Sequence, residues 1–296
     1  MIGVRPKTFA QRATPYLYLA PALALIALVF VYPVLDLFRR STTIRRAGEL
    51  EPIGLRAFRL ALNDNVFWGA LGNNLRLFLA VPILVVLSLI VASLIFERLR
   101  GWRLYRTLVF IPYVMAIPVV GIVFSYILQL RGVLNTILEG IGLGFLALDW
   151  LGSARTAMWS IMGVIIWKEL GFGIVLFLAR MSSISEELFD AAKLDGANWF
   201  QRLRHVTIPQ TATVIEFYTA INLITMLSWV FSYVLVMTKG GPGTSTWVME
   251  YFIYQKAFQY SQMHIAAAGA VFLLILASGL MLLQARARKQ VEALGE

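Results

Sequence analysis

Long apolar runs alternate with short polar stretches along this chain. Six stand out: Leu17–Phe38, Leu71–Phe96, Tyr105–Leu130, Ala157–Ala179, Thr211–Met237 and Met263–Leu283. Each can cross a hydrocarbon core of about 30 Å as a helix, at roughly 20 residues per crossing. Helix is the expected state, because lipid offers backbone N–H and C=O groups no partner and a helix satisfies them within one segment. The alternating strands of about ten residues that build a membrane β-barrel are absent. The predicted fold class is therefore an all-α polytopic membrane protein with six transmembrane helices. Pro112 and Pro118 should kink the third run. Gly163, Gly171 and Gly173 mark the fourth, as small residues do where helices pack closely or move. Ordinary irregularity of membrane helices fits these features equally well.

Composition supports the class. Of 296 residues only 14% are charged and the mean hydropathy is +0.74, against about a quarter charged in soluble domains. There is no cysteine, so disulfide and thiol chemistry are excluded. A net charge of +10 fits anionic lipid and the positive-inside rule without any nucleic acid. The N-terminus starts basic like a signal peptide, but its apolar run is too long and has no small-residue cleavage site, so an uncleaved first span is expected. With both termini inside, the inner side holds Arg5, Lys7, Arg12, Arg98, Arg100, Arg103, Arg106, Arg180, Lys193, Arg202, Arg204, Arg286, Arg288 and Lys289. The outer side holds fewer basic residues, yet the first loop, RRSTTIRRAGELEP, is strongly basic. Charge alone leaves the orientation open.

The polar segment between the fourth and fifth runs, ARMSSISEELFDAAKLDGANWFQRLRHVTIPQ, is too long for a tight turn. Ser185 followed by Glu186 and Glu187 reads as a helix start, with a capping oxygen and acids near the positive dipole end. Leu188, Ala191, Ala192 and Leu194 give a small apolar face, and Asp195-Gly196 a bend. Ala197 to Val206 forms a second short helix, and Pro209 suits the first turn of the next span. A helix–bend–helix of this kind serves either as a handle for another protein or as an amphipathic helix lying on lipid. Pattern alone leaves the two even.

Asp190-Ala191-Ala192, three residues, Gly196, nine residues, then Val206-Thr207-Ile208-Pro209 resembles the EAA loop of binding-protein-dependent ABC importer permeases. Asp190 stands for that motif's Glu, Val206 for its Ile and Ile208 for its Leu. YLYLAPALALIALVFVYPVLDLF, NVFWGALGNNLRLFLAVP, RTLVFIPYVMAIPVVGIVF, WKELGFGIVLFLARMSSISEELFDAAKLDGA and TKGGPGTSTWVMEYFIYQKAF are similar to spans and loops of the carbohydrate-type permeases that resemble the maltose and glycerol-3-phosphate systems. The resemblance implies a cytoplasmic tail at 1–16, a six-span permease domain at 17–285 with the EAA loop at 180–209, and a cytoplasmic tail at 286–296. It implies a bacterial or archaeal plasma membrane with both termini inside. It implies an EAA loop that contacts an ATPase through Glu187, Asp190, Ala191, Ala192, Asp195, Gly196 and Ala197. The implied partners are a second homologous permease in a heterodimer, an ATP-binding cassette ATPase dimer that carries the ATP and Mg, an external solute-binding protein and membrane lipid.

No cofactor site is expected in the chain itself. KGGPGTST, Lys239–Thr246, lacks the lysine-then-Ser/Thr ending of a phosphate loop and reads as a turn between spans. Neither His205 nor His264 lies in a metal-binding pattern, and no span pairs carboxylates, so the chain is not expected to be an enzyme. Solute contact is expected from the fifth run, where Asn222, Thr225 and Trp229 are spaced i, i+3, i+7 and Ser232 and Tyr233 follow. Interhelical hydrogen bonding explains each of these residues as well. Lys168 and Glu169 are adjacent on a helix and are not expected to pair with each other. The rival reading is an ion-coupled secondary transporter, which needs buried acids along a path. Only Glu169 and Glu216 would qualify.

Overall fold

The computed structural model describes the backbone of residues 9–46, 48–97 and 102–294, and side chains from residue 18 to residue 286 apart from 47, 98–103, 105 and 106. Arg5, Lys7, Arg98 and Arg100 of the charge distribution lie outside the described residues. The first apolar run is α1 (Phe9–Ile26), a π-helical turn, and α2 (Tyr32–Thr42). The basic loop that follows is a hairpin rather than a coil: β1 (Thr43–Arg46) pairs antiparallel with β2 (Glu49–Pro52), with Thr43 opposite Pro52 and Arg46 opposite Glu49. Gly48, at φ +92°, supplies the turn conformation that L side chains disfavour. Helices α3 (Arg56–Leu62), α4 (Asn65–Leu77) and α5 (Ala80–Phe96) lead through the second run, with the Asp64 carboxylate capping α4 through the Val66 N–H at 2.9 Å.

Four helices are long and apolar enough to cross a membrane, or up to six if each of two bent pairs is one span. One bent pair is the third run. Instead of a single kinked helix it forms α6 (Trp102–Val114) and α7 (Ile117–Ile127), turned by 104°. Pro112 stays inside α6. The break falls at Met115–Ala116, where Ala116 is extended, just before Pro118. The Tyr113 carbonyl, left without its helical partner by this break, accepts from Lys168 Nζ at 3.1 Å. After α8 (Val133–Gly140) comes α9 (Ala157–Met181), which packs on both α5 and α6. Gly171 and Gly173 permit that packing. A Cβ at the first would strike the Val109 carbonyl, and one at the second the hydroxyls of Ser88 and Tyr218. Gly163 faces open space and has no such role.

The polar segment carries α10 (Glu186–Leu194), α11 (Trp199–Arg202), a π-helical turn and α12 (Ile208–Gln210). The fifth run is split. α13 (Ala212–Ser228), bent 75° from the segment before it, ends at Trp229, and the chain resumes as α14 (Phe231–Met237). α15 (Met249–Tyr254) packs on the last long helix, α16 (Met263–Leu294), and on α4. Residues 239–262 are therefore no loose turn. Val248, Met249 and Phe252 are fully buried within them.

Two neighbouring amides of α4 fasten this region. Asn73 Nδ2 donates to the carbonyls of Ser245 and Trp247, both at 2.8 Å. Asn74, wholly buried, donates to the Met226 carbonyl at 2.8 Å and accepts from the Met249 N–H at 2.8 Å. One side chain thus spans the last turn of α13 and the first residue of α15. Polar ends of this kind, buried among apolar helices, must be satisfied or they cost about 1–3 kcal/mol each. Asn74→Ala strands both the Met226 carbonyl and the Met249 N–H. It should destabilise the protein by about 2–4 kcal/mol, read as a lower unfolding midpoint in mild detergent. Asn74→Asp, which keeps the acceptor for the Met249 N–H but sets a buried carboxylate against the Met226 carbonyl, should destabilise at least as much as alanine.

Candidate functional site

The polar segment is anchored at its second half and free at its first. Trp199 Nε1 donates to Ser93 Oγ at 3.1 Å, Arg202 pairs with Glu97 at 2.5 Å, and Arg202 also reaches the Ala197 carbonyl at 2.6 Å. Arg180 Nε holds the Gln210 carbonyl at 2.9 Å. Asn198 and Gln201 form a reciprocal cap at the start of α11. Against this fixed base, α10 has no buried residue. Phe189 alone of its large side chains turns inward, onto Phe96 at 5.2 Å between ring centres. Leu194, the last residue of α10, is 89% exposed.

Each residue expected at a protein contact sits on this projecting piece. Glu187 lies in the first turn, where its backbone N–H meets Ser185 Oγ at 3.3 Å. Asp190 pairs with Lys193 at 2.9 Å, both more than half exposed, an ion pair worth little to stability in water. Ala191 and Ala192 lie along the helix and Asp195 ends it. Gly196 takes φ +76°, its N–H bonds the Lys193 carbonyl, and the Ala197 N–H reaches back to Ala192. This left-handed closure is the one glycine serves best. A Cβ at Gly196 would meet nothing within 4 Å, so the backbone and not space demands glycine.

The five expected solute residues separate. Asn222 is buried and donates to the Tyr218 carbonyl at 2.8 Å. Thr225 bonds the Ile221 carbonyl at 3.0 Å. Tyr233 is 2% exposed and its hydroxyl finds no hydrogen-bond partner. Trp229 and Ser232 instead line an open cavity of about 350 Å³ at the break in the fifth run, with Ser228, Glu250, Tyr254 and Phe258. Helix α13 ends at Ser228, so Trp229 does not continue the face of Asn222 and Thr225. Glu250 was not visible as a site residue in the sequence, because α15 reads there as part of a turn. Its Oε2 accepts the Phe231 N–H at 2.9 Å, a donor that the break in the helix sets free.

Lys168 and Glu169 do pair, with Nζ 3.3 Å from Oε1. The expectation that neighbours on a helix diverge fails because the long lysine stem curls back while its ammonium holds the Tyr113 carbonyl and lies 5.1 Å from the Tyr113 ring centre. Behind them the Tyr218 hydroxyl donates to the Glu169 carbonyl at 3.1 Å. Among the described residues no group of His, Asp and Glu could hold a metal ion.

Residues 71–291 match the sequence model of a family described as a binding-protein-dependent transport system inner membrane component. A probable ABC transporter permease protein of Bacillus subtilis, YurN, is 35% identical over 283 residues, covering 93% of this chain and 95% of that one. The lactose transport system permease protein LacF of Rhizobium radiobacter is 32% identical over 265 residues, covering 88% and 89%. The structure superposes with a TM-score of 0.81, at 24% identity and over 95% and 96% of the two chains, on a bacterial ABC transporter involved in the import of the acidic polysaccharide alginate. At that identity the likeness speaks for the fold.

A β-branched side chain at Gly196 should loosen the end of α10 through its backbone alone. Gly196→Val forces an L residue into the left-handed region, at about 1–2 kcal/mol. Amides of Asp195 to Ala197 should then exchange hydrogen roughly tenfold faster, while Gly163→Ala, helical and facing open space, should leave exchange unchanged.

Proposed function

The chain belongs to the inner-membrane components of binding-protein-dependent transport systems, and from that premise we propose that it is the membrane-spanning permease subunit of an ATP-driven importer for a sugar or sugar-like solute. In this reading each bent pair counts as one span, giving six. Residues 17–285 form the permease domain, and the tails 1–16 and 286–296 lie with the segment 180–209 on the cytoplasmic side. The basic hairpin is then external despite its charge. The chain binds no nucleotide. ATP and Mg sit on a partner ATPase dimer, a second related permease completes the pathway, and an external binding protein delivers the solute. The lactose system of the relative LacF supports the carbohydrate class.

The observation that carries this reading is α10. A short helix with no buried residue, a bare Leu194 at its tip and a firm base at Trp199 and Arg202 is built to be held from outside. Glu187, Asp190, Ala191, Ala192, Asp195, Gly196 and Ala197 are its contact residues. The small side chains let another backbone approach, and the acids pair at the rim. When ATP closes the ATPase dimer, α10 is displaced with it. The base transmits the push to α5 through Ser93 and Glu97, and the permease pair rocks between inward-open and outward-open states. ATP drives the change through its differential affinity for the closed dimer.

Asp190→Arg tests this directly, since Asp190 adds little to the stability of the chain itself. The variant should unfold at the wild-type midpoint, yet recover about tenfold less ATPase subunit on purification in mild detergent, the loss expected for a contact residue. Wild-type recovery of the ATPase with Asp190→Arg and Leu194→Lys together contradicts the docking role of α10.

A further inference from the structure

The break in the fifth run is lined by a group whose placement the docking role does not explain. Glu250 brings a carboxyl from α15 against the start of α14, beside the exposed indole of Trp229. A carboxyl taken out of bulk water is costly unless polar partners or a wet cavity receive it. The backbone N–H of Phe231 donates to this carboxyl. It fills one of about four acceptor positions on a carboxylate. Glu250 itself lines the cavity, together with Trp229, Ser232 and Tyr254. A flat aromatic face, the phenol of Tyr254 and a spare carboxyl acceptor are the pieces that recognise a sugar ring. The ring's apolar face lies on the indole and its hydroxyls bond at the edge.

From this we infer that Glu250 is a specificity-determining residue of the permease, bonding hydroxyl groups of an uncharged sugar ring laid against Trp229. The inference rests on the permease reading above and adds the solute chemistry: neutral and hydroxyl-rich, with uronates disfavoured because their carboxylate meets an acidic side chain. Glu250 has a second task in the same place. Its bond to Phe231 holds α15 to the broken span, so loss of the side chain can act through structure alone. The Gln variant separates the two roles, since its amide oxygen still accepts the Phe231 N–H.

The chain has no cysteine, so a thiol at position 232 is a unique probe within it. Membranes holding the complete transporter with Ser232→Cys are treated with a small maleimide, with and without lactose or galacturonate, and labelling of this chain is read on a gel. Lactose should slow labelling and galacturonate should not. Adding Glu250→Gln should remove most of the lactose protection, a change of roughly tenfold in the lactose concentration required, while the unfolding midpoint and the recovery of partner subunits stay as in Ser232→Cys. Equal protection with Glu and Gln overturns the specificity role and leaves Glu250 as a clamp for α15. No protection by lactose in Ser232→Cys overturns the cavity itself as the sugar site, and the inference with it. Equal protection by galacturonate overturns the preference for uncharged sugars.

Discussion

The buried carboxamide of Asn74 sets the geometry on which the rest of this protein depends. A membrane helix can be interrupted only if the backbone groups it exposes find new partners. Here the end of α13 finds one in Asn74 Nδ2, the start of α14 finds one in Glu250, and the start of α15 finds one in Asn74 Oδ1. Two side chains from different parts of the sequence thus close the break from opposite sides. Asn73 adds two further bonds to the turn at Ser245 and Trp247. The break is consequently a fixed feature with an opening beside it, and the region that looked like a connecting turn becomes a wall of that opening.

A second break follows the same rule with a charge in place of an amide. The third run turns sharply ahead of Pro118, and the ammonium of Lys168 takes the Tyr113 carbonyl that the turn leaves behind. Glu169 balances that ammonium from the next residue. Lys168 and Glu169 are accounted for by this repair, so an acid-lined ion path is not needed to explain them. Family membership also favours the importer over the ion-coupled carrier.

Much of this was legible from periodicity and length. Apolar runs near 71–96, 157–179 and 263–283 correspond to long helices, because an uninterrupted hydrophobic stretch in lipid has few alternatives to helix. The α10 start at Ser185, its end at Asp195 and the turn at Gly196 were also readable, since capping and left-handed glycine are local chemistry. What was not legible depended on partners far along the chain. The exact break at Met115–Ala116, the end of α13 before Trp229 and the burial of Val248 to Phe252 each rest on contacts from other helices. Helical spacing placed Asn222 and Trp229 on one face, but that argument assumed a continuous helix. The hairpin at 43–52 carries no alternating apolar pattern and left no signal to read.

The central claim is that α10 is gripped by an ATP-hydrolysing subunit. A single cysteine, Leu194→Cys, at the most exposed point of that helix offers the most direct measurement, because the chain supplies no other thiol. The complete transporter is treated in its membrane with a short thiol-to-amine cross-linker, and whatever becomes joined to the chain is identified by mass spectrometry. The prediction is a single adduct with an ATPase subunit, whose yield changes when ATP and Mg are added. An adduct with phosphatidylethanolamine and none with protein, whatever the nucleotide, would instead place α10 flat on the lipid surface and contradict the claim.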